Sequence, residues 1–132
     1  MWLYNGAEFD ENLIDKNIGF VYLIVNNVNN KKYIGKKLFW FTRTRQVKGK
    51  KKKEKVPSDW KVYWSSSEEV QNDVTNLGEE NFTREILYLC GNKGTMSYIE
   101  AKLQFQYEVL EKPDEWYNGI IQCRIHRNHV KL

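Results

Sequence analysis

Tyr22 and Tyr33, eleven positions apart in GFVYLIVNNVNNKKYIGKK, are the residues with the most chemical promise. A free phenol is a poor base, with a reference pKa of about 10. Beside cations that value falls, and the phenolate becomes usable as a base. Lys31, Lys32, Lys36, Lys37, Arg43 and Arg45 follow closely enough to supply such a field. The same cations would hold a phosphate. The plainer alternative is a pair of sheet aromatics, which stabilise strand pairing without doing chemistry.

For both phenols to serve one site, the chain must fold back between them. Phe20 to Val25 is β-branched and aromatic, as strands are. Asn26, Asn27, Asn29 and Asn30 are turn formers. Lys32 to Leu38 then predicts a second strand, and an in-register hairpin puts Tyr22 and Tyr33 on one face. Residues 46–57, with Gly49, a lysine run and Pro57, predict a flexible basic loop. Ser67 predicts an N-cap, Glu68 and Glu69 favour a first turn, and Val70, Val74 and Leu77 repeat at helical spacing, so 68–77 predicts a short amphipathic helix closed by Gly78. A third strand is expected over Phe82–Leu89 and a longer helix over Thr95–Leu110, with Pro113 beyond it. Residues 1–17 predict an N-terminal extension, and the apolar run after Asn118-Gly119 a short extra strand. The sum is an α+β fold: a small three-stranded antiparallel sheet flanked by helices, one domain over 1–132.

Charge is concentrated. From Lys31 to Lys55 there are twelve Lys or Arg and one acid, Glu54, whereas the whole chain is only +4. That asymmetry points to a polyanionic partner, against the bland alternative of a solubilising loop. No apolar run approaches the roughly 20 residues of a membrane span, and the first residues lack a signal-peptide pattern, so a cytoplasmic protein without membrane contact is expected. Two cysteines without a C-x-x-C pair suit a reducing setting. Cys123, His126 and His129 have ligand-like spacing, but half of a zinc motif is missing.

GFVY followed by YIG at this separation resembles the GIY-YIG nucleases, with Val21 where isoleucine is usual. Further landmarks are similar. Arg43 stands ten residues after Tyr33, where the family has an arginine. YWSSSEEVQNDVTNLGEENFTREIL resembles the central helix and third strand of phage-encoded, homing-type members. Glu100 in SYIEAKLQF stands where the family has its metal-binding glutamate, and Asn118 in YNG matches a late asparagine near the active site. The resemblance covers residues 18–120 in order, with a basic insertion over about 43–57 and a tail over 121–132.

The resemblance implies hydrolysis of DNA phosphodiester bonds with one divalent cation, usually Mg²⁺. It implies Tyr22 or Tyr33 as base or water-orienting group, Arg43 gripping the scissile phosphate, Glu100 as metal ligand and Asn118 beside them. One carboxylate suffices for Mg²⁺, which keeps waters and takes substrate oxygens. Lys36, Lys37, Arg45, Lys48, Lys50, Lys51, Lys52 and Lys53 are the expected DNA-binding cations. Two departures stand out. Many members carry a histidine one helical turn after the arginine, where this chain has Val47; Lys36, Lys37 and Tyr63 are the candidates to replace it. Arg45 rivals Arg43 for the phosphate. Glu100 also has a structural alternative, because Ser97-Tyr98-Ile99-Glu100 fits a capping box. The expectation is a stand-alone metal-dependent DNA endonuclease; the alternative is a non-catalytic nucleic-acid-binding module on the same fold.

Overall fold

The computed structural model describes residues 1–132 throughout. The predicted hairpin is present: β3 (Gly19–Asn26) pairs antiparallel with β4 (Lys32–Leu38), and β7 (Phe82–Cys90) pairs antiparallel with β3 on its other side. These are the three expected antiparallel strands. The sheet nevertheless has five, because the N-terminal segment is not a mere extension. β1 (Trp2–Tyr4) adds parallel to β7, and β2 (Ala7–Glu8) pairs with β1, giving the order β2-β1-β7-β3-β4. Trp2 anchors that strand: it is buried and its Nε1 donates to the Trp60 carbonyl at 2.8 Å.

Both sheet faces are covered. Phe20, Tyr22 and Ile24 point to one face, where α1 (Glu68–Leu77) brings Val70 and Val74 and the aromatics Trp2, Phe9, Phe39 and Trp60 fill the space. Val21 and Ile34 point to the other, against Met96 and Ile99 of α2 (Lys93–Gln106) and Trp116. A bulge on β7 shifts the register, so that Val21 faces Tyr88 while Tyr22 faces Ile86. The extra residue, Leu87, moves the inward side chains from Ile86 to Leu89 and adds twist directly behind Tyr22.

The helices follow their caps. Ser67 Oγ accepts from Val70 N at 3.3 Å, as its sequence predicted. α2 begins two residues earlier than expected, because Asn92 is the N-cap and its Oδ1 accepts from Thr95 N at 2.8 Å. The capping-box reading of Glu100 therefore falls, and its carboxylate does not cap the helix. The tail forms no strand; its one regular piece is a 3₁₀ turn at Arg127–His129.

The flexible basic loop is also corrected. Residues Trp40–Val47 (β5) and Lys50–Pro57 (β6) form a separate two-stranded antiparallel ribbon with eight paired rungs. Lys48 and Gly49 both have positive φ, 52° and 75°. That is a two-residue turn of the kind whose twist matches paired strands. The lysines do not prevent pairing, because beyond Trp40, which packs against the core, their side chains remain in water. No helix is long and apolar enough to cross a membrane.

Candidate active site

The cavity that concerns function opens at the outer edge of β4. It is about 180 Å³, and its lining includes Tyr22, Tyr33, Lys36, Ser66, Glu100 and Gln104. Its lining of two phenols, a lysine, a hydroxyl, a carboxylate and an amide suits a phosphate and a hydrated cation.

The hairpin register explains why the two phenols meet. Tyr22 pairs with Gly35, and Ile24 with Tyr33, so Tyr22 and Tyr33 are diagonal neighbours on one face. Their ring centroids are 6.2 Å apart. A Cβ at position 35 would lie 2.6 Å from Tyr22 Cζ and 2.8 Å from Tyr33 Cε1. Glycine there lets the Tyr22 ring cross β4 and reach the cavity at the sheet edge. Glu100 and Gln104, one turn apart on α2, reach the same cavity. Lys36 stands between, donating to Ser97 Oγ at 2.9 Å and lying 3.8 Å from Glu100 Oε1.

Electrostatics depart from the expectation of lowered phenol pKa values. Burial holds the Tyr22 phenol well above 10, and Tyr63, Tyr33 and Glu100 push the same way. Burial also raises Tyr33, opposed by a Ser66 hydrogen bond and supported by Glu100. The expected cationic field is spent elsewhere. Lys31 pairs with Glu69 at 3.0 Å, Lys37 with Asp59 at 2.6 Å, and Lys32 lies over the Trp116 ring. Lys36 is the one cation lining the cavity. Glu100, the one carboxylate there, has its pKa raised by burial, partly offset by Lys36.

Arg43 is not brought to the cavity. It lies on the ribbon, two-thirds exposed, with its guanidinium on Glu54, and Arg45 shares that carboxylate at 3.8 Å. Lys48, Lys50, Lys51, Lys52 and Lys53 are on the ribbon as well, all exposed. Asn118 is buried behind β4 rather than in the cavity lining. Its Oδ1 accepts from Ile34 N at 3.1 Å and its Nδ2 donates to Ile34 O at 2.8 Å. It closes the exposed edge of β4 like one rung of a neighbouring strand.

Two residues beside this site carried weaker sequence signals. Tyr63, one of three candidates for the missing histidine, packs edge-on against Tyr22 with ring centroids 6.1 Å apart, and Lys37 Nζ sits 4.0 Å over its ring. Arg84 fixes that segment by donating to the Tyr63 carbonyl at 2.8 Å while lying against Trp2 and Trp64. Gln104 was missed altogether. Its Nε2 donates to Ile34 O at 3.0 Å, and its buried Oε1 has no partner. The one available signal was its place four residues after Glu100, on the same helix face.

The donor set fits a hard divalent cation. A half-buried carboxylate with a raised pKa has only Lys36, 3.8 Å away, as counter-charge, and an orphaned amide oxygen stands one turn away. Mg²⁺ binds through one or two carboxylates and keeps its waters, so Glu100 with Gln104 nearby is sufficient.

Comparison with known proteins identifies a family. Residues 2–121 match the family model of the SegE GIY-YIG domain, described as "Putative endonuclease segE, GIY-YIG domain". Neither the curated proteins nor the solved structures provide a match. The matched span covers nearly the whole chain, and the chain belongs to the SegE-type GIY-YIG endonuclease family, hydrolases of phosphodiester bonds.

Proposed function

We propose that the chain is a phage-encoded, divalent-cation-dependent endonuclease that cuts DNA at the Tyr22–Tyr33–Glu100 cavity. The observation that carries this reading is the convergence of two phenols, one lysine and one under-compensated carboxylate from three elements on one cavity. Tyr33, the more exposed phenol, meets the attacking water and is steadied by Ser66, 3.4 Å away. Tyr22 is buried and holds the orientation of Tyr33 and of the water from beneath. Lys36 neutralises a non-bridging phosphate oxygen, the part the sequence had given to Arg43. Glu100 would hold Mg²⁺ or another divalent cation, and the unpartnered Gln104 Oε1, one turn along α2, would offer a neutral oxygen beside it. When bound, the cation neutralises charge developing on the phosphoryl and leaving oxygens and lowers the pKa of coordinated water. Tyr63 takes the place of the histidine absent at Val47, because it is the candidate that touches Tyr22. Asn118 acts by pinning β4.

Supercoiled plasmid with Mg²⁺ tests this reading. Wild type converts it to nicked or linear forms, and chelator, Tyr33→Phe and Glu100→Ala each suppress conversion. The displacement of Arg43 favours one second reading, a module that binds DNA without cutting. Retained binding with no conversion across divalent cations and pH would establish that reading instead.

A further inference from the structure

The β5–β6 ribbon joins the core at its base, where Trp40 packs against the aromatic cluster, and then projects away from it. It forms its own sheet, and between Phe41 and Lys55 nearly every residue is exposed. A lone two-stranded ribbon is marginally stable in water, so one whose outer part has no packed face gains stability from a partner. It carries eight basic residues and one acid, Glu54. A second copy of the chain pairing along its free edges would bring like charge against like charge. A polyanion is the complementary occupant. The B-DNA major groove, about 12 Å wide, accepts a two-stranded ribbon. Eight residues per strand extend about 26 Å, or roughly seven to eight base pairs.

The register divides the ribbon into unlike faces. Arg43 lies opposite Glu54 and Arg45 opposite Lys52, all on the Phe41 face. Lys51, Lys53 and Lys55 lie on the other, opposite Gln46, Thr44 and Thr42. At the ribbon's base, Phe41 borders the same depression as Lys36 and Lys37, and Lys36 also lines the cavity. The Phe41 face therefore opens on the side from which DNA reaches the cavity.

We infer that the ribbon is a major-groove reading arm, with Arg43, Arg45 and Glu54 turned to base edges and the opposite-face lysines reaching the phosphates of the groove walls. Arginine bonds to guanine O6 and N7, and a carboxylate accepts from the paired cytosine N4, so an Arg–Glu set suits G·C pairs. In the free protein Glu54 holds both arginines. Exposed ion pairs of this kind are weak and rearrange readily onto a base. The inference rests on the DNA substrate proposed above and adds which groove is read and by which face.

The test uses the full chain in EDTA and a randomised duplex library. Two variants each remove two charges: Arg43→Ala/Arg45→Ala from one face and Lys53→Ala/Lys55→Ala from the other. Wild type enriches a G·C-containing motif, and methylation of guanine N7 blocks its binding. The arginine variant loses discrimination at that motif by roughly 5- to 150-fold per base pair. The lysine variant keeps the motif, weakens binding to every sequence and lowers the salt slope by about two. Equal behaviour of the two variants, interference at adenine N3 in the minor groove, or no enrichment by wild type overturns the inference. Wild type that enriches the motif with guanine N7 interference but never cuts it in Mg²⁺ leaves the reading arm standing and removes the nuclease reading.

Discussion

Asn118→Ala separates a structural role from a catalytic one. β4 is the sheet edge, so the N–H and C=O of Ile34 point away from β3 and need partners off the sheet. Asn118 serves both, at 3.1 and 2.8 Å, and Gln104 gives the carbonyl a second donor at 3.0 Å. Truncation leaves the carbonyl bonded to Gln104 but strands the buried N–H. An unsatisfied buried donor costs about 1–3 kcal/mol, and the second lost bond adds about 1, for a total of roughly 2–4 kcal/mol. For a chain of this size each kcal/mol lowers Tm by roughly 3–5 °C, so the melt falls by roughly 6–20 °C. Circular dichroism melts measure this directly, and hydrogen exchange at the Ile34 amide localises it. Below the new melt, single-turnover cleavage stays within a few-fold of wild type. Asn118→Asp sets an ionised oxygen against the Ile34 carbonyl, which raises the folded pKa of the new carboxyl. Its stability is therefore greatest below the ordinary carboxyl range and is lost as pH rises through that raised value. An Asn118→Ala protein with an unchanged melt and no cleavage would refute the structural assignment.

Gly35→Ala forces a methyl into the Tyr22 and Tyr33 rings; it destabilises by roughly 1–3 kcal/mol and lowers cleavage more than binding, read by melts and by kcat against KM. Glu100→Gln raises the melt of the metal-free protein at neutral pH, because burial raises the folded pKa of Glu100 and ionising it opposes folding. That gap closes below the ordinary carboxyl range, where Glu100 is protonated in both states, and it shrinks when Mg²⁺ stabilises wild type; a lower melt for the variant contradicts the reading. Tyr63→Phe keeps the fold but lowers the cleavage rate roughly 10-fold or more, on the scale of a lost proton-handling group, and an unchanged rate removes Tyr63 from the histidine's place.

Legibility followed the range of each signal. The hairpin was legible because four asparagines and two β-rich runs determine a local register, and that register alone puts both phenols on one face. The α1 boundaries followed from the Ser67 cap. Residues 1–17 misled because β1 gains its place through a parallel pairing some eighty residues distant, which no local pattern announces. The ribbon misled because a lysine run has the composition of a loop; Val47-Lys48-Gly49-Lys50 held the turn signal, outweighed by the charge around it. At the site, Tyr22, Tyr33 and Glu100 were placed by motif and spacing. Arg43 was placed by an offset that assumes a helix after YIG, and the ribbon carries it away from the cavity. Phenol pKa values misled because cations near in sequence are paired with Glu69, Asp59 and Glu54 in space.

The most direct test of the central claim is single-turnover cleavage of a labelled duplex by Glu100→Gln beside wild type, with DNA affinity measured on the same samples. Chemistry at the cavity requires unchanged affinity and a loss of at least roughly 10²-fold in rate, the scale of one preorganised electrostatic group removed. Wild-type cleavage by Glu100→Gln in Mg²⁺ would place the chemistry elsewhere on the molecule.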